Sequence, residues 1–214
     1  MQVKIIATTQ ALDFEPQYLI EYAGRVCTNT LSRFGQGSER FIRQRIDEQH
    51  LGLLEHNSVT FLVEGISRVA SHQIVRHRIG ASYAQLSERY CELNEPSYVV
   101  PESIANNKSA AAAYKTIADG LFDMYDLLQA DGILKEDARF ILPQATETTI
   151  LVTMNLRSYL HLFDMRIHPA AQWEIREMCI KMLDQLVYYA PAVFVPYREK
   201  VASEHPEWFG GQCE

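Results

Sequence analysis

Apolar and polar positions change their period along this chain, from two to about 3.6 and back, and each change marks an element. Residues 3–8 form a short apolar run of strand length, and residues 59–63 form a second one rich in β-branched side chains. Residues 148–154 alternate and predict a third strand. Between them the pattern is helical. Pro16 suits the opening of a helix with Tyr18, Leu19, Tyr22 and Val26 on one stripe. Residues 32–37 read as a loop. Ser38 is placed to cap a second helix, with Phe41, Ile42, Ile46 and Leu53 inward and an end near Leu51 and Gly52. Ser67 starts a segment in which Gln73, Arg76 and His77 share one face if it is helical. Gly80 breaks it, and a loop is expected to follow.

The second half carries longer signals. Residues 97–101 are short and extended. Residues 109–129 predict a regular helix with Tyr114, Ile117, Leu121, Tyr125 and Leu128 on its stripe, stopping at Asp131-Gly132. Residues 135–142 predict a helix bearing Arg139 and ended by Pro143. Asn155 caps a helix that carries Arg157, His161 and Arg166. Residues 170–190 make the last long helix, with Pro191 as its terminator, and residues 199–214 read as a mobile polar tail. Strands separated by helices without regular alternation predict an α+β fold: an antiparallel or mixed sheet packed with long helices in a single domain. No Gly-X-Gly-X-X-Gly follows the first strand, so a bound dinucleotide would not be held in the Rossmann manner.

Composition narrows the picture further. The 214 residues are 47% hydrophobic and 22% charged, enough for a real core. No apolar run is long enough for a membrane span, and the N-terminus does not read as a signal peptide. Cys27, Cys91, Cys179 and Cys213 are scattered, as expected of reduced thiols in a cytoplasmic protein. A pI near 5.5 argues against general nucleic-acid binding. None of the seven histidines makes a His-Glu-X-X-His pair, and Ser87 lacks a Gly-X-Ser-X-Gly elbow, so neither zinc nor a serine nucleophile is indicated.

Against a net charge of −7, the segment from Arg68 to Tyr90 holds Arg68, Arg76, Arg78 and Arg89 and a single acid, Glu88. A guanidinium is permanently charged and forked, so clustered arginines interleaved with the hydroxyls of Ser82, Tyr83, Ser87 and Tyr90 point to a phosphate. Arg-His-Arg alone reads first as a solvated helix face. Cys91 beside the cationic run reads as a packing residue or, less simply, as an activated thiolate.

The longer stretch resembles a known signature. Arg76-His77-Arg78, eight residues, then Ser87-Glu88-Arg89-Tyr90 is similar to the signature of the flavin-dependent thymidylate synthases. The resemblance continues in His50-Leu51-Gly52-Leu53-Leu54-Glu55-His56, in Arg139 with Leu142-Pro143, in Asn155-Leu156-Arg157-Ser158, and in Arg166 with Ala171-Gln172-Trp173-Glu174. It spans residues 1–195 as a catalytic domain, leaving residues 196–214 as the tail. Where the family offers a hydroxyl this chain has Gly52; where it commonly has asparagine, His161; where Asn-Glu is common, Ala84-Gln85.

The resemblance implies reductive methylation of dUMP to dTMP, with methylenetetrahydrofolate as carbon donor, FAD as redox carrier and NADPH as reductant. It implies a homotetramer with active sites at subunit interfaces, and neither a nucleic-acid nor a membrane partner. Ser87 and Arg89 would hold the nucleotide phosphate. Gln73, Ile74, Val75, Arg76, Gln85, Leu86, Glu88 and Arg139 would surround the rest of dUMP. Arg166 is the implied catalytic residue at the uracil edge. Arg76, His77, Arg78, Ile79, Gln85, Asn155, Leu156, Arg157, His161, Gly52 and Glu55 would contact FAD, with His50 near the flavin and folate. Two other readings remain open from the residues alone: a phosphate-recognising module without chemistry, and an arginine-based nucleic-acid binder.

Overall fold

A computed structural model describes residues 1–91 and 97–210. Its sheet has four strands, β1 (Gln2–Thr8), β2 (Ser58–Ser67), β3 (Ala81–Gln85) and β4 (Glu147–Asn155), in the order β1-β2-β4-β3. Register follows from the bonds. Thr9 N meets Ser58 O, while Gly65 lies beside Met1; Thr60 Oγ1 is 2.9 Å from Thr153 Oγ1, while Arg68 N meets Thr146 O; Leu86 N meets Thr149 O, while Asn155 N meets Gly80 O. Each neighbouring pair is therefore antiparallel. The period of two is clean in the central strands, which bury Val59, Phe61, Val63 and Thr148, Ile150, Val152, Met154. Edge strand β1 has its backbone occupied by one side chain: Gln185 Nε2 donates to Val3 O and Gln185 Oε1 accepts from Ile5 N.

The helices in chain order are α1 (Leu19–Cys27), α2 (Ser38–Asp47), α3 (Arg68–Ile74), α4 (Glu102–Ala105), α5 (Lys108–Ala130), α6 (Lys135–Ala138), α7 (Leu156–Arg166), α8 (Trp173–Tyr189) and α9 (Pro191–Glu204). None of the described helices is long and apolar enough to cross a membrane. The chain separates into two compact units. The first comprises Met1–Gln2, Val63–Arg76 and Tyr83–Leu151; the second comprises Val3–Leu62, His77–Ser82 and Val152–Glu214.

In the first unit α3 is capped by Ser67, whose side chain accepts from Ala70 N, and α5 by Asn107, which accepts from Ala110 N. The buried face of α5 is Ala118, Phe122 and Tyr125, and Tyr98 stacks on Phe122. Ile117, expected on that face, is 64% exposed on the other side. The expected helix over residues 135–142 is shorter: α6 stops at Ala138 and Arg139–Ile141 is a 3-10 turn.

In the second unit the rings of Phe61, Tyr159, Phe163 and Phe194 meet in sequence at 5.6–6.0 Å, mostly edge to face, and form the centre of the core. Helix α1 departs from expectation: Tyr22 and Val26 are exposed, and Ile20 and Gly24 face inward. The cause is Phe41 of α2, whose ring lies 2.8 Å from where a Cβ on Gly24 would stand. Ser38 opens α2 as its first residue, behind Gly37, and the helix ends at Asp47 before a 3-10 turn over Leu51–His56. Helix α8 begins at Trp173, since Gln172 caps it by accepting from Ile175 N. The expected tail is also corrected. Pro191 begins α9 at its first turn, where a missing N–H costs nothing, and the boundary at 195/196 falls inside that helix. Val201 is buried, so residues 199–204 are helix, and residues 211–214 lie outside the described chain.

Candidate active site

The first unit holds the expected phosphate residues Ser87 and Arg89 just past the end of β3, with Arg89 against α6. Strand β3 replaces the loop expected after Gly80; Ser-Tyr-Ala-Gln is too weakly apolar to announce a strand, yet its pairing with β4 continues through Leu86 N to Thr149 O at 2.9 Å. Gln85 Nε2 donates to Ser71 Oγ at 2.9 Å and to Thr148 Oγ1 at 3.2 Å, so its amide is fixed. Ser87 Oγ accepts from Arg89 N, and Ser87 O accepts from Tyr90 N and Cys91 N, a tight turn that presents the hydroxyl beside the guanidinium. Arg89 Nε donates to the Glu136 carboxylate, and Arg139 Nε donates to Glu136 O at 3.2 Å. Glu136, on α6, thus gathers two arginines 50 positions apart in sequence. Sequence reasoning missed it, and its sole signal was its place three residues before Arg139.

Two of the expected nucleotide residues, Glu88 and Ile74, are buried and bonded within this unit. Glu88 is 8% exposed and pairs with Arg68, whose Nε lies 3.4 Å from its carboxylate; Arg68 also donates to Leu86 O. Ile74 is fully buried, and its carbonyl accepts from Tyr83 OH at 2.9 Å. The expected helical face of Gln73, Arg76 and His77 does not form, because α3 ends at Ile74 with Val75 as its cap. Arg76 then lies in a turn with its side chain exposed.

The second unit holds the other half of the Arg-His-Arg motif. The turn after Arg78 is fastened to the N-terminus of α7: Ser158 Oγ donates to Ile79 O at 2.8 Å, and Asn155 N donates to Gly80 O at 3.2 Å. Asn155 Oδ1 caps the helix by accepting from Ser158 N at 2.8 Å. Gly80 has φ +64°, and a Cβ there would stand 2.4 Å from both Asn155 Nδ2 and Ser158 Oγ, so glycine is required. Leu156 is fully buried, with its N–H given to Asn57 O at 3.0 Å. Arg157 is exposed and pairs with Glu55. Arg78 and Ile79 are exposed on the turn.

At the far end of α7, Arg166 Nε donates to His77 Nε2 at 3.0 Å. The His161 ring stands edge-on to His77, 6.0 Å between centroids. Burial, then the Arg166 charge, then His161 push the His77 imidazole down to about 4, so it is neutral at pH 7. His50 and Gly52 line a mostly apolar cavity of about 270 Å³ together with Cys27, Phe41, Arg45 and Leu53.

These residues suit FAD. Two exposed guanidiniums, Arg78 and Arg157, flank the N-terminus of an 11-residue helix, a donor set that fits a pyrophosphate. Cys91 is half-buried and, like Cys27 and Cys179, unpaired. No cluster of metal-ligating side chains occurs among the described residues.

The family profile described as "Thymidylate synthase complementing protein" matches residues 5–192. A flavin-dependent thymidylate synthase of Pyrococcus furiosus is 42% identical over 173 residues, 78% of this chain and 70% of that one. One from Geobacter sulfurreducens is 46% identical over 147 residues, 68% of this chain and 63% of that one. Among solved structures, the UMP/dUMP methylase PolB of Streptomyces cacaoi, bound with 5-Br dUMP, superposes with a TM-score of 0.80 at 21% identity, over 95% of this chain and 94% of that one, a likeness of fold. With its signature arginines on the end of β3 and the turn before it, this chain belongs to the thymidylate synthase complementing protein family, the family of the flavin-dependent thymidylate synthases.

Proposed function

We propose that this protein is a flavin-dependent thymidylate synthase that converts dUMP to dTMP, taking one carbon from methylenetetrahydrofolate. The carbon arrives at the oxidation level of formaldehyde and leaves as a methyl group, so two further electrons are needed, and NADPH supplies them. Bound FAD carries those electrons between the two substrates. The observation that carries the reading is the Arg166 guanidinium held on a neutral imidazole.

Ser87 and Arg89 hold the nucleotide phosphate, the hydroxyl and the guanidinium of one turn acting together. Glu136 orients Arg89 and Arg139 from behind. Gln85 offers a fixed amide, and Gln73 and Arg76 complete the nucleotide side. Arg166 faces the uracil O2/N3 edge, where a fixed cation stabilises negative charge as C5 becomes nucleophilic. No enzyme thiolate is then required. Arg78 and Arg157 bind the flavin pyrophosphate, Asn155 and Glu55 hold that surface in shape, and His50 and Gly52 border the flavin and folate entrance.

A homotetramer with its sites between subunits suits a chain of 214 residues that holds three large ligands. Exposed Ile117, Met124 and Leu127 on α5 support an assembly larger than one chain. Unpaired Cys27, Cys91 and Cys179 suit a reducing cytoplasm. The test is dTMP formation by purified protein given dUMP, methylenetetrahydrofolate, FAD and NADPH. Cys91→Ala should retain it, and Arg166→Ala should abolish it while keeping the visible flavin band. A wild-type protein that forms no dTMP, or an inactive Cys91→Ala enzyme that still binds dUMP, overturns the reading.

A further inference from the structure

The bond between Arg166 and His77 constrains more than distance. Arginine has no acceptor, so an Nε–H that points at His77 Nε2 requires a lone pair on that nitrogen. His77 must then be neutral with its proton on Nδ1. Holding Nε fixes the plane of the guanidinium, and with it the direction of the outer Nη groups. The other imidazole at this place is His161, on the same helix as Arg166, five residues earlier. Its ring stands at 65° to His77, with 6.0 Å between centroids. The chain supplies His77 from a turn that Ser158 and Asn155 fasten to the opposite end of α7. One 11-residue helix therefore anchors the turn at its first residues and receives the imidazole at its last.

We propose that His77 is a positioning residue for Arg166: as the Nδ1–H tautomer it accepts the guanidinium Nε–H and aims the cation at the pyrimidine. The proposal rests on the reading of Arg166 as the group that faces uracil. It assigns His77 a task within the protein beside any contact it makes with FAD.

Nuclear magnetic resonance of ¹⁵N-histidine-labelled holoprotein reads the tautomer directly, with the His77 signals identified by their loss in His77→Gln. The expected pattern at neutral pH is an unprotonated Nε2 and a protonated Nδ1; a proton on Nε2 overturns the proposal. Affinity for dUMP, followed by the change in the flavin spectrum, supplies the second test. His77→Leu should weaken dUMP by about tenfold in the parent and by less than about twofold in Arg166→Ala, the signature of coupled residues. His77→Gln, whose amide oxygen can accept the same bond, should recover most of the loss. An equal loss in both backgrounds, or no recovery with glutamine, overturns the positioning role. If wild-type protein forms no dTMP, the reading of Arg166 fails whatever the tautomer. If it does form dTMP and Nε2 carries the proton, the positioning role alone fails.

Discussion

Gly80→Ala tests how the Arg-His-Arg turn is held. Gly80 adopts φ +64°, a left-handed conformation that costs an L-residue about 1–2 kcal/mol. The added methyl would also stand 2.4 Å from Asn155 Nδ2 and Ser158 Oγ. Neither atom is the loose end of a long side chain: Asn155 caps α7 and Ser158 donates to Ile79 O. Overpacking of this kind costs about 1–3 kcal/mol. Losing the Ser158 bond adds roughly 1 kcal/mol. A total of about 3–6 kcal/mol corresponds, for a chain of this length, to a fall in Tm on the order of 10 °C. The assay is thermal unfolding by circular dichroism, with flavin retention measured on the same samples. Gly52→Ala is the control, since no atom lies within 4 Å of a Cβ built there; its Tm should move by less than about 2 °C. A Gly80→Ala protein that melts within about 2 °C of the parent would refute the argument that this turn is locked to α7.

Other outcomes follow from the same contacts. Asn155→Ala removes the cap on Ser158 N and should lower stability by about 1 kcal/mol, read as a fall in Tm of roughly 2–4 °C with weaker flavin retention; unchanged melting contradicts it. His77 titrates near 4 in the folded protein against an ordinary 6.5, so the unfolded chain binds more protons between those values. This contribution to stability is whole above about pH 6.5 and falls as pH drops toward 4. Urea midpoints measured across that window should fall less steeply in His77→Gln, and parallel slopes would dismiss the imidazole as the cause. Gly52→Ser places a hydroxyl in open space beside the cavity that His50 borders, and should slow flavin loss on dialysis; faster loss counts against flavin at that cavity.

What the sequence made legible was periodicity and local chemistry. Residues 148–154 announced β4 because every second side chain is buried, and Asn155 announced the start of α7 because its side chain bonds locally. Long-range choices were not legible. The face that α1 turns inward is chosen by Phe41 on another helix, against the stripe of Tyr22 and Val26. Edge strand β3 is made by its partner, and its own residues carry little strand preference. Pro191 reads locally as a stop and proves to be the start of α9. In the site, the arginines were visible as charge on an acidic chain. Glu136, which gathers two of them, and the bond that ties Arg166 to His77 across 89 positions become visible only once the chain is folded.

The central claim is that fixed guanidiniums and a bound flavin methylate the pyrimidine without sulfur attack. A single anaerobic turnover with Cys91→Ala tests it most directly: enzyme reduced by NADPH, freed of excess reductant, then mixed with dUMP and methylenetetrahydrofolate. The account predicts that the visible flavin band returns only when both are present, with one dTMP formed for each flavin reoxidised. Return of the band without dTMP, or no turnover until Cys91 is restored, would contradict it.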